Sequence, residues 1–168
     1  MAADITNVKL GVCSVKFNNV DLGHTKGGVV VTYTPEYHDV TVDKYGNTVV
    51  EKVLIGEKLT AKVPLAESTI ANMAVAIPAG TSDTDNITVG KQAGELMAQY
   101  AHALVLHPIA NEVSDLDEDV NFYKALVSSE IALNYTFDGE RVMEVTFEAL
   151  LDETKSSGAY LGLFGDST

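Results

Sequence analysis

The side chains that could act as nucleophiles or metal ligands are few and scattered. The chain has one cysteine, Cys13, and four histidines, His24, His38, His102 and His107. Cys13 lies in a strand-like run with no histidine near it in sequence, which favours a buried apolar residue over a catalytic thiol. The histidines form no His-Glu-x-x-His motif and there are no paired cysteines, so no metal site is predicted.

Other catalytic motifs are also missing. The sequence contains neither a Gly-x-Ser-x-Gly nucleophile elbow nor a glycine-rich phosphate loop. Asp115, Asp117 and Asp119 resemble the first half of a calcium loop. However, position six is Val120 rather than glycine and position twelve is Leu126 rather than glutamate, so this segment is interpreted as a solvated acidic loop. We predict a protein that is not an enzyme and that uses no cofactor.

The charge balance excludes a protein that grips nucleic acid. The 168 residues include 24 acidic and 11 basic side chains, for a net charge of −13, whereas nucleic-acid binding needs clustered lysine and arginine. The acidity either keeps the protein soluble or lets it work beside nucleic acid without adhering. No apolar run approaches the ~20 residues that span a bilayer. The first residues, MAADITNVKLG, do not resemble a secretory signal. We therefore expect synthesis in a cytoplasm and no membrane partner.

Strand-like patterns dominate the elements that must carry any site. They are the runs 12–17, 29–34 and 58–63, and two arms of a long hairpin over 36–57 around Tyr45-Gly46-Asn47. One helix is predicted over about 65–77, where apolar residues recur at helical spacing between Pro64 and Pro78. A second hairpin is predicted to pair 131–137 with 143–149, matching Ile131 with Phe147.

These elements predict one domain over residues 1–168. The fold class is mostly β: an antiparallel β-sandwich or barrel with one flanking α-helix and a long protruding β-hairpin.

The long hairpin is the unusual feature, because neither of its faces is fully apolar. Simple alternation predicts one face with Val40, Val42 and valines of the returning arm, and another with Tyr37, Asp39, Thr41 and Asp43. An isolated two-stranded ribbon is marginal in water, and an exposed strand edge invites pairing with another chain. The hairpin therefore either folds back on its own domain or is covered by neighbouring copies.

The residues around this hairpin follow each other in a characteristic order. A short strand is followed by DLGHTKGG, then Pro35-Glu36-Tyr37 opens the hairpin, LIGE closes it and PLAEST opens the helix. This stretch, 17–69, strongly resembles the major tail tube protein of long, flexible-tailed (siphovirus-type) bacteriophages. The later segments LVLHP, 104–108, and GAYLGLFGD, 158–166, are similar to the same family, so the resemblance covers most of the chain.

The resemblance implies hexameric rings stacked into a hollow tube, through which DNA passes without specific binding. The protein would belong to the virion tail, made in the host bacterial cytoplasm. Its partners would be further copies of itself, a tape-measure protein, a tail terminator and tail-tip proteins. Candidates for ring-to-ring contacts are the amino-terminal segment, the loop 81–86 and the carboxy-terminal tail.

The hairpin would join other strands to line the bore, with its valine face against its own subunit. The residues expected to face the lumen are Asp39, Thr41, Asp43 and Lys52. Lys52 could pair with an acid on a neighbouring strand. The hairpin residues expected between subunits are Tyr37, Val40, Val42, Tyr45, Val49 and Val53.

Two other readings stay open. One is a stand-alone sandwich module that binds carbohydrate or protein, although the chain has no tryptophan for a carbohydrate platform. The other is the tube subunit of a contractile injection or secretion system, which would share the ring architecture without DNA passage.

Overall fold

The strands form where β-branched residues and alternating apolar and polar residues recur along the chain. A computed structural model describes residues 8–9 and 11–166; residues 1–7, 10, 167 and 168 of the predicted domain lie outside the described part. The strands in chain order are β1 (Cys13–Phe17), β2 (Val20–Asp21), β3 (Val30–Thr41), β4 (Val49–Leu65), β5 (Thr81–Ser82), β6 (Ile87–Thr88), β7 (His102–Pro108), β8 (Val120–Val127), β9 (Met143–Ala149) and β10 (Gly162–Phe164). The helix α1 (Ile70–Ala76) follows β4, and two 3-10 turns cover Asp43–Tyr45 and Met97–Tyr100.

Eight strands make one continuous antiparallel sheet: seven follow the order β2-β1-β7-β8-β9-β4-β3, and the eighth, β10, pairs with β8 off this path. β10 pairs with β8 at 120–122, while β9 pairs with β8 at 125–127. β5 and β6 form a separate small hairpin. The prediction of a mostly β, antiparallel fold with one α-helix is confirmed for the described residues.

The sheet curls around its apolar face. The rings of Phe17 in β1 and Phe147 in β9 lie 5.3 Å apart between centroids, although β7 and β8 separate these strands. In a flat sheet the two strands would be about 14 Å apart at ~4.8 Å per strand, so the sheet bends until its two halves meet. The largest fully buried side chains are Phe122, Phe147, Leu22, Leu65, Leu104, Met143, Val15, Val63 and Val145.

One segment joins the two ends of the curled sheet. The backbone N–H of Leu22 donates to Val15 in β1 at 2.9 Å, and two residues later the carbonyl of His24 accepts from Ala66 at 2.8 Å, just beyond β4. The buried side chain of Asn72 in α1 donates to the carbonyls of Leu22 and Glu67 at 2.9 Å each. The helix therefore fixes the segment that closes the barrel-like curl.

The helix is shorter than predicted. It begins at Ile70, after Thr69, whose side chain accepts a hydrogen bond from the backbone N–H of Asn72. The predicted start near Leu65 is wrong, because Pro64 and Leu65 extend β4 and pair with Glu144 and Met143. Proline is tolerated there since it is the last-but-one residue of the strand, where few ladder hydrogen bonds remain to be lost.

The predicted carboxy-terminal hairpin is also wrong in its first arm. Met143–Ala149 is a strand as expected, but 131–137 is not. Phe147 pairs with Val127 rather than with Ile131. The true partner, β8, was missed because its buried residues Phe122 and Ala125 are three apart, where a register shift against β7 interrupts the alternation.

Candidate assembly interface

The predicted hairpin is present and is longer than expected. β3 pairs with β4 from Val30 opposite Lys62 to Thr41 opposite Val49. β9 pairs only with 60–65 of β4, so residues 33–41 and 49–59 form a two-stranded ribbon, about 30 Å long at ~3.3 Å per residue. We call this segment the ribbon. Between 36 and 57 only Val40 and Gly56 are half-buried and all others are exposed, so the hairpin does not fold back on its own domain.

Two β-bulges set the register of the ribbon. The pairing shifts between Glu36 and Tyr37, and again between Val40 and Thr41. Ile55 and Val50 are the extra residues of β4 at these points. Each bulge inserts one residue and moves the following side chains to the other face.

The bulges overturn the predicted valine face. Val49 lies opposite Thr41 rather than beside Val40, and Val40 lies opposite Glu51. Val42 precedes the 3-10 turn Asp43–Tyr45 and is outside the strand pair. The connection runs over 42–48, longer than the predicted turn at Tyr45-Gly46-Asn47. The valines are therefore divided between the faces.

The face with Asp39 continues the core side of the sheet. At the base of the ribbon, Val31 pairs with buried Ala61, and Tyr33 with buried Leu59. Because successive side chains of a strand alternate, Tyr37, Asp39 and Thr41 of β3 follow on that same side. The expectation that the Val40 face would be the one against its own subunit is therefore wrong at the base of the ribbon.

Two polar contacts tie the ribbon's arms together. Lys52 lies directly opposite Asp39, and its Nζ is 2.5 Å from the Asp39 carboxylate, which confirms the expected pairing of Lys52 with an acid. The Tyr33 hydroxyl donates to Glu57 at 2.5 Å. That hydrogen bond to Glu57 raises the pKa of Tyr33. At the tip, the Lys44 ammonium lies 5.5 Å from the centre of the Tyr45 ring.

The opposite, solvent face of the sheet carries a polar ladder that sequence reasoning missed. Lys58 pairs with Glu148 at 3.2 Å and Lys62 with Glu144 at 2.9 Å, both across β4 and β9. Thr60 and Thr146 lie between these pairs, and Thr32 and Thr34 of the neighbouring β3 lie beside them on the same side. The ladder depends on the pairing of β9 with β4. The sequence analysis pairs 143–149 with 131–137 instead, and therefore does not predict the ladder.

The carboxy-terminal segment packs at the base of the ribbon. A small cleft of about 120 Å³ lies between Tyr33, Glu57 and Leu59 on one side and 158–164 on the other. A Cβ at Gly162 would come within 2.5 Å of the Asn121 carbonyl oxygen, so glycine allows β10 to approach β8 this closely.

The structure does not bring the remaining candidate nucleophiles and metal ligands together in one site. Cys13 is half-buried, and burial raises the pKa of its thiol. His107 Nδ1 lies 2.6 Å from Asp119, and both side chains are largely buried. In the described part of the chain, no group of three or more His, Cys, Asp or Glu residues could hold a metal ion, and no helix is long and apolar enough to cross a membrane.

Comparison with protein-family models and with curated proteins finds no match for this chain.

Proposed function

We propose that this chain is the structural subunit of a phage tail tube, and that its rings stack into a conduit for DNA. The observation that carries the proposal is the ribbon. It extends about 30 Å beyond the part of β4 that pairs with β9, and between 36 and 57 all its residues except Val40 and Gly56 are exposed. A monomer gains little from such a ribbon, because two strands without a third are marginal in water.

The free edges of the ribbon support pairing with further copies. β3 ends the sheet and has β4 as its one strand partner among the described residues. The 49–59 part of β4 has no strand on its other side within the same residues. A head-to-tail contact between edges, repeated around an axis, closes a ring and covers every edge.

The ring size follows from the resemblance. About four strands from each of six copies give ~24 strands, which at ~4.8 Å spacing and ~40° tilt form a barrel near 48 Å in diameter. Side chains that point into the bore reduce its open diameter to roughly 38 Å, which leaves room for one DNA duplex.

The register suggests which face would line the bore. The core side of the sheet, which continues to Tyr37 and Asp39, suits packing against a subunit. The ladder of Lys58, Lys62, Glu144 and Glu148 with its threonines suits a water-filled channel. We therefore propose that the Thr34–Glu36–His38 side faces the lumen. The earlier lumen set of Asp39, Thr41, Asp43 and Lys52 stays as the competing prediction.

The acidity supports passage of DNA without binding. Glu36 lies on the proposed lumen side, and so does Glu51, which is opposite Val40. Neither forms a salt bridge within the described chain, whereas Asp39, on the other side, is paired with Lys52. The remaining negative charge repels phosphate over about a Debye length.

Deleting 39–52 tests the proposal. The deletion removes most of the ribbon and leaves the β4–β9 pairs of the sheet, so we expect a folded subunit that no longer forms rings. Negative-stain microscopy and sedimentation of parent and deletion proteins would be compared, with circular dichroism as the check on folding.

A control replaces Lys16, an exposed residue of β1 outside every candidate contact segment, by glutamine, which should leave assembly unchanged. Normal tubes from the deletion protein would refute the role of the ribbon. A parent protein that stays monomeric at high concentration would favour a stand-alone binding module. Parent tubes that exclude DNA would favour an injection-type tube.

A further inference from the structure

Arg141, the one arginine of the chain, lies in the connection between β8 and β9. Its guanidinium carbon is 4.2 Å from the centre of the Tyr135 ring. Stacking of this kind fixes the plane of a guanidinium and leaves the N–H groups at its edge able to donate. Arg141 forms no salt bridge with the described residues, although the chain has 24 acidic side chains. The guanidinium is therefore an oriented cation without a carboxylate partner in the described chain.

Arg141 lines a cleft of about 550 Å³, which is within the usual size range of small-molecule sites. None of the residues that line the cleft is acidic, although the net charge of the chain is −13. The other lining residues are small or polar: Ala66, Ser68, Asn134, Tyr135, Thr136 and Gly139. A cleft with one cation and no carboxylate in its walls favours an anionic ligand.

The acidic residues nearest to Arg141 in sequence are each paired with a lysine. Glu140 lies 2.6 Å from Lys26, and the hydrogen bond from Lys26 lowers the pKa of Glu140. Glu144 lies 2.9 Å from Lys62. These two salt bridges neutralise the carboxylates that would otherwise oppose an anion beside Arg141. Exposed carboxylates farther away are screened by salt over about 8 Å.

Two local contacts shape the cleft. The Ser68 hydroxyl donates to the backbone carbonyl of Arg141 at 3.3 Å, and so joins the segment before α1 to the segment before β9. At Gly139, an added Cβ would lie 3.0 Å from the Thr136 hydroxyl oxygen, so glycine leaves room for that hydroxyl. Because the Ser68 hydroxyl is already donating, the donors left for a ligand include the Asn134 amide, the Thr136 hydroxyl and the Arg141 guanidinium.

We propose that this cleft binds the phosphate group of a small molecule. The guanidinium of Arg141 holds two phosphate oxygens in its fork, and Asn134 and Thr136 donate to the others. Phosphate is favoured over carboxylate because its tetrahedral oxygens can accept from several walls of the cleft, whereas the guanidinium fork alone satisfies a planar carboxylate. The rest of the ligand lies against Ala66 and Tyr135. All these residues belong to one copy, so the inference does not depend on the proposed assembly.

Phosphorus NMR tests the site, with inorganic phosphate and phenyl phosphate as probes, the full chain as the protein and the ionic strength held constant. Both signals should broaden as protein is added, and the titration gives a dissociation constant for each probe. In Arg141→Gln, both dissociation constants should rise at least tenfold. Arg141→Lys keeps the charge but loses the fork, and should retain part of the affinity. Thr136→Val removes one hydrogen bond and should raise the constants about fivefold.

The matched control is Lys155→Gln, since Lys155 also lies over a tyrosine ring, 4.3 Å from the centre of Tyr123, but outside the cleft. It should bind both probes like the parent protein. Circular dichroism of each variant checks that the fold is unchanged.

Several outcomes would overturn the proposal. Parental affinity of a folded Arg141→Gln protein would show that the guanidinium does not hold the probe. Equal weakening in Lys155→Gln would show that the probes respond only to the charge of the whole chain. Displacement of phenyl phosphate by an equal concentration of acetate would assign the cleft to carboxylates. Displacement by duplex DNA at an equal phosphate concentration would assign it to nucleic acid rather than to a small molecule.

Discussion

At the scale of single residues, Asp152 secures the chain between β9 and β10. Its buried carboxylate accepts hydrogen bonds from the Thr154 hydroxyl at 2.8 Å and the Thr154 backbone N–H at 3.2 Å. Lys124 in β8 lies 3.3 Å away. The hydrogen bond from the Thr154 side chain is the main reason that the pKa of Asp152 is lowered, with Lys124 contributing less.

This lowered pKa predicts a loss of stability in acid. Because the folded state favours the carboxylate, its contribution is present above the ordinary aspartate pKa of about 4 and is lost as the pH falls through the lower folded value. In Thr154→Ala, the loss of folding stability should occur at higher pH. In Asp152→Asn, this part of the pH dependence of stability should be absent. Urea unfolding at a series of pH values would measure both.

The control for this titration is Asp85→Asn in the exposed 83–86 turn, which should follow the parent curve. A parent-like pH dependence in Asp152→Asn would show that other carboxylates cause the acid sensitivity.

At the scale of elements, β10 depends on the absence of a side chain at Gly162. An added Cβ would lie 2.5 Å from the Asn121 carbonyl oxygen and 3.1 Å from a Leu59 methyl group. One neighbour is backbone of β8 and the other lies at the base of the ribbon. This single position therefore decides how closely the carboxy-terminal segment fits between them.

Gly162→Ala should destabilise the folded chain by about 1–3 kcal/mol, as expected for overpacking. Urea unfolding monitored by circular dichroism would measure the change. Gly56→Ala is the matched control, since a Cβ there meets nothing closer than the flexible Glu36 side chain at 3.4 Å. Equal stability of the two variants would contradict the proposed close fit.

The ribbon illustrates how an element can be recognised while its faces are not. The alternating residues between 36 and 57 and the glycine at 46 predict a hairpin, and the hairpin is there. The bulges at Ile55 and Val50 then change which residues share a face. Apart from Gly56, no residue at either bulge is of a type that would predict a bulge from the sequence.

At the scale of the whole molecule, the bore would exist only in an assembly, so the lumen-facing residues stay predictions. The two candidate sets lie on opposite faces of the ribbon. Chemical labelling distinguishes them because a lumen admits small reagents, whereas a contact between copies excludes them.

In a Cys13→Ser background, Thr34→Cys and Asp39→Cys should both react with a small maleimide in free subunits, since both positions are exposed. In assembled tubes, we expect Thr34→Cys to keep reacting with the small reagent but not with a bulky polymer-linked one. Asp39→Cys should react with neither. Mass spectrometry would measure the labelled fraction.

Lys16→Cys, at an exposed position of β1, serves as the accessible control. The reverse pattern, with Asp39→Cys labelled and Thr34→Cys protected, would restore the lumen set of Asp39, Thr41, Asp43 and Lys52.

The sequence by itself determined the features that depend on neighbouring residues. Alternation marked β1, the hairpin and the Met143–Ala149 strand, whose inward residues are all buried. Asn18 and Asn19, in the turn between β1 and β2, adopt positive φ angles, which asparagine tolerates better than most residues. The net charge and the absence of catalytic motifs are likewise evident from the sequence alone.

Only the tertiary structure decided which strands meet and which way each face points. Pairing of Phe147 with Val127 rather than Ile131, extension of β4 through Pro64, and the cleft that holds Arg141 all join residues distant in sequence. Alternating residues indicate that a strand has two different faces, but they do not identify the strand with which it pairs. One inserted bulge residue exchanges the faces beyond it, so the sequence pattern could predict the ribbon but not its orientation.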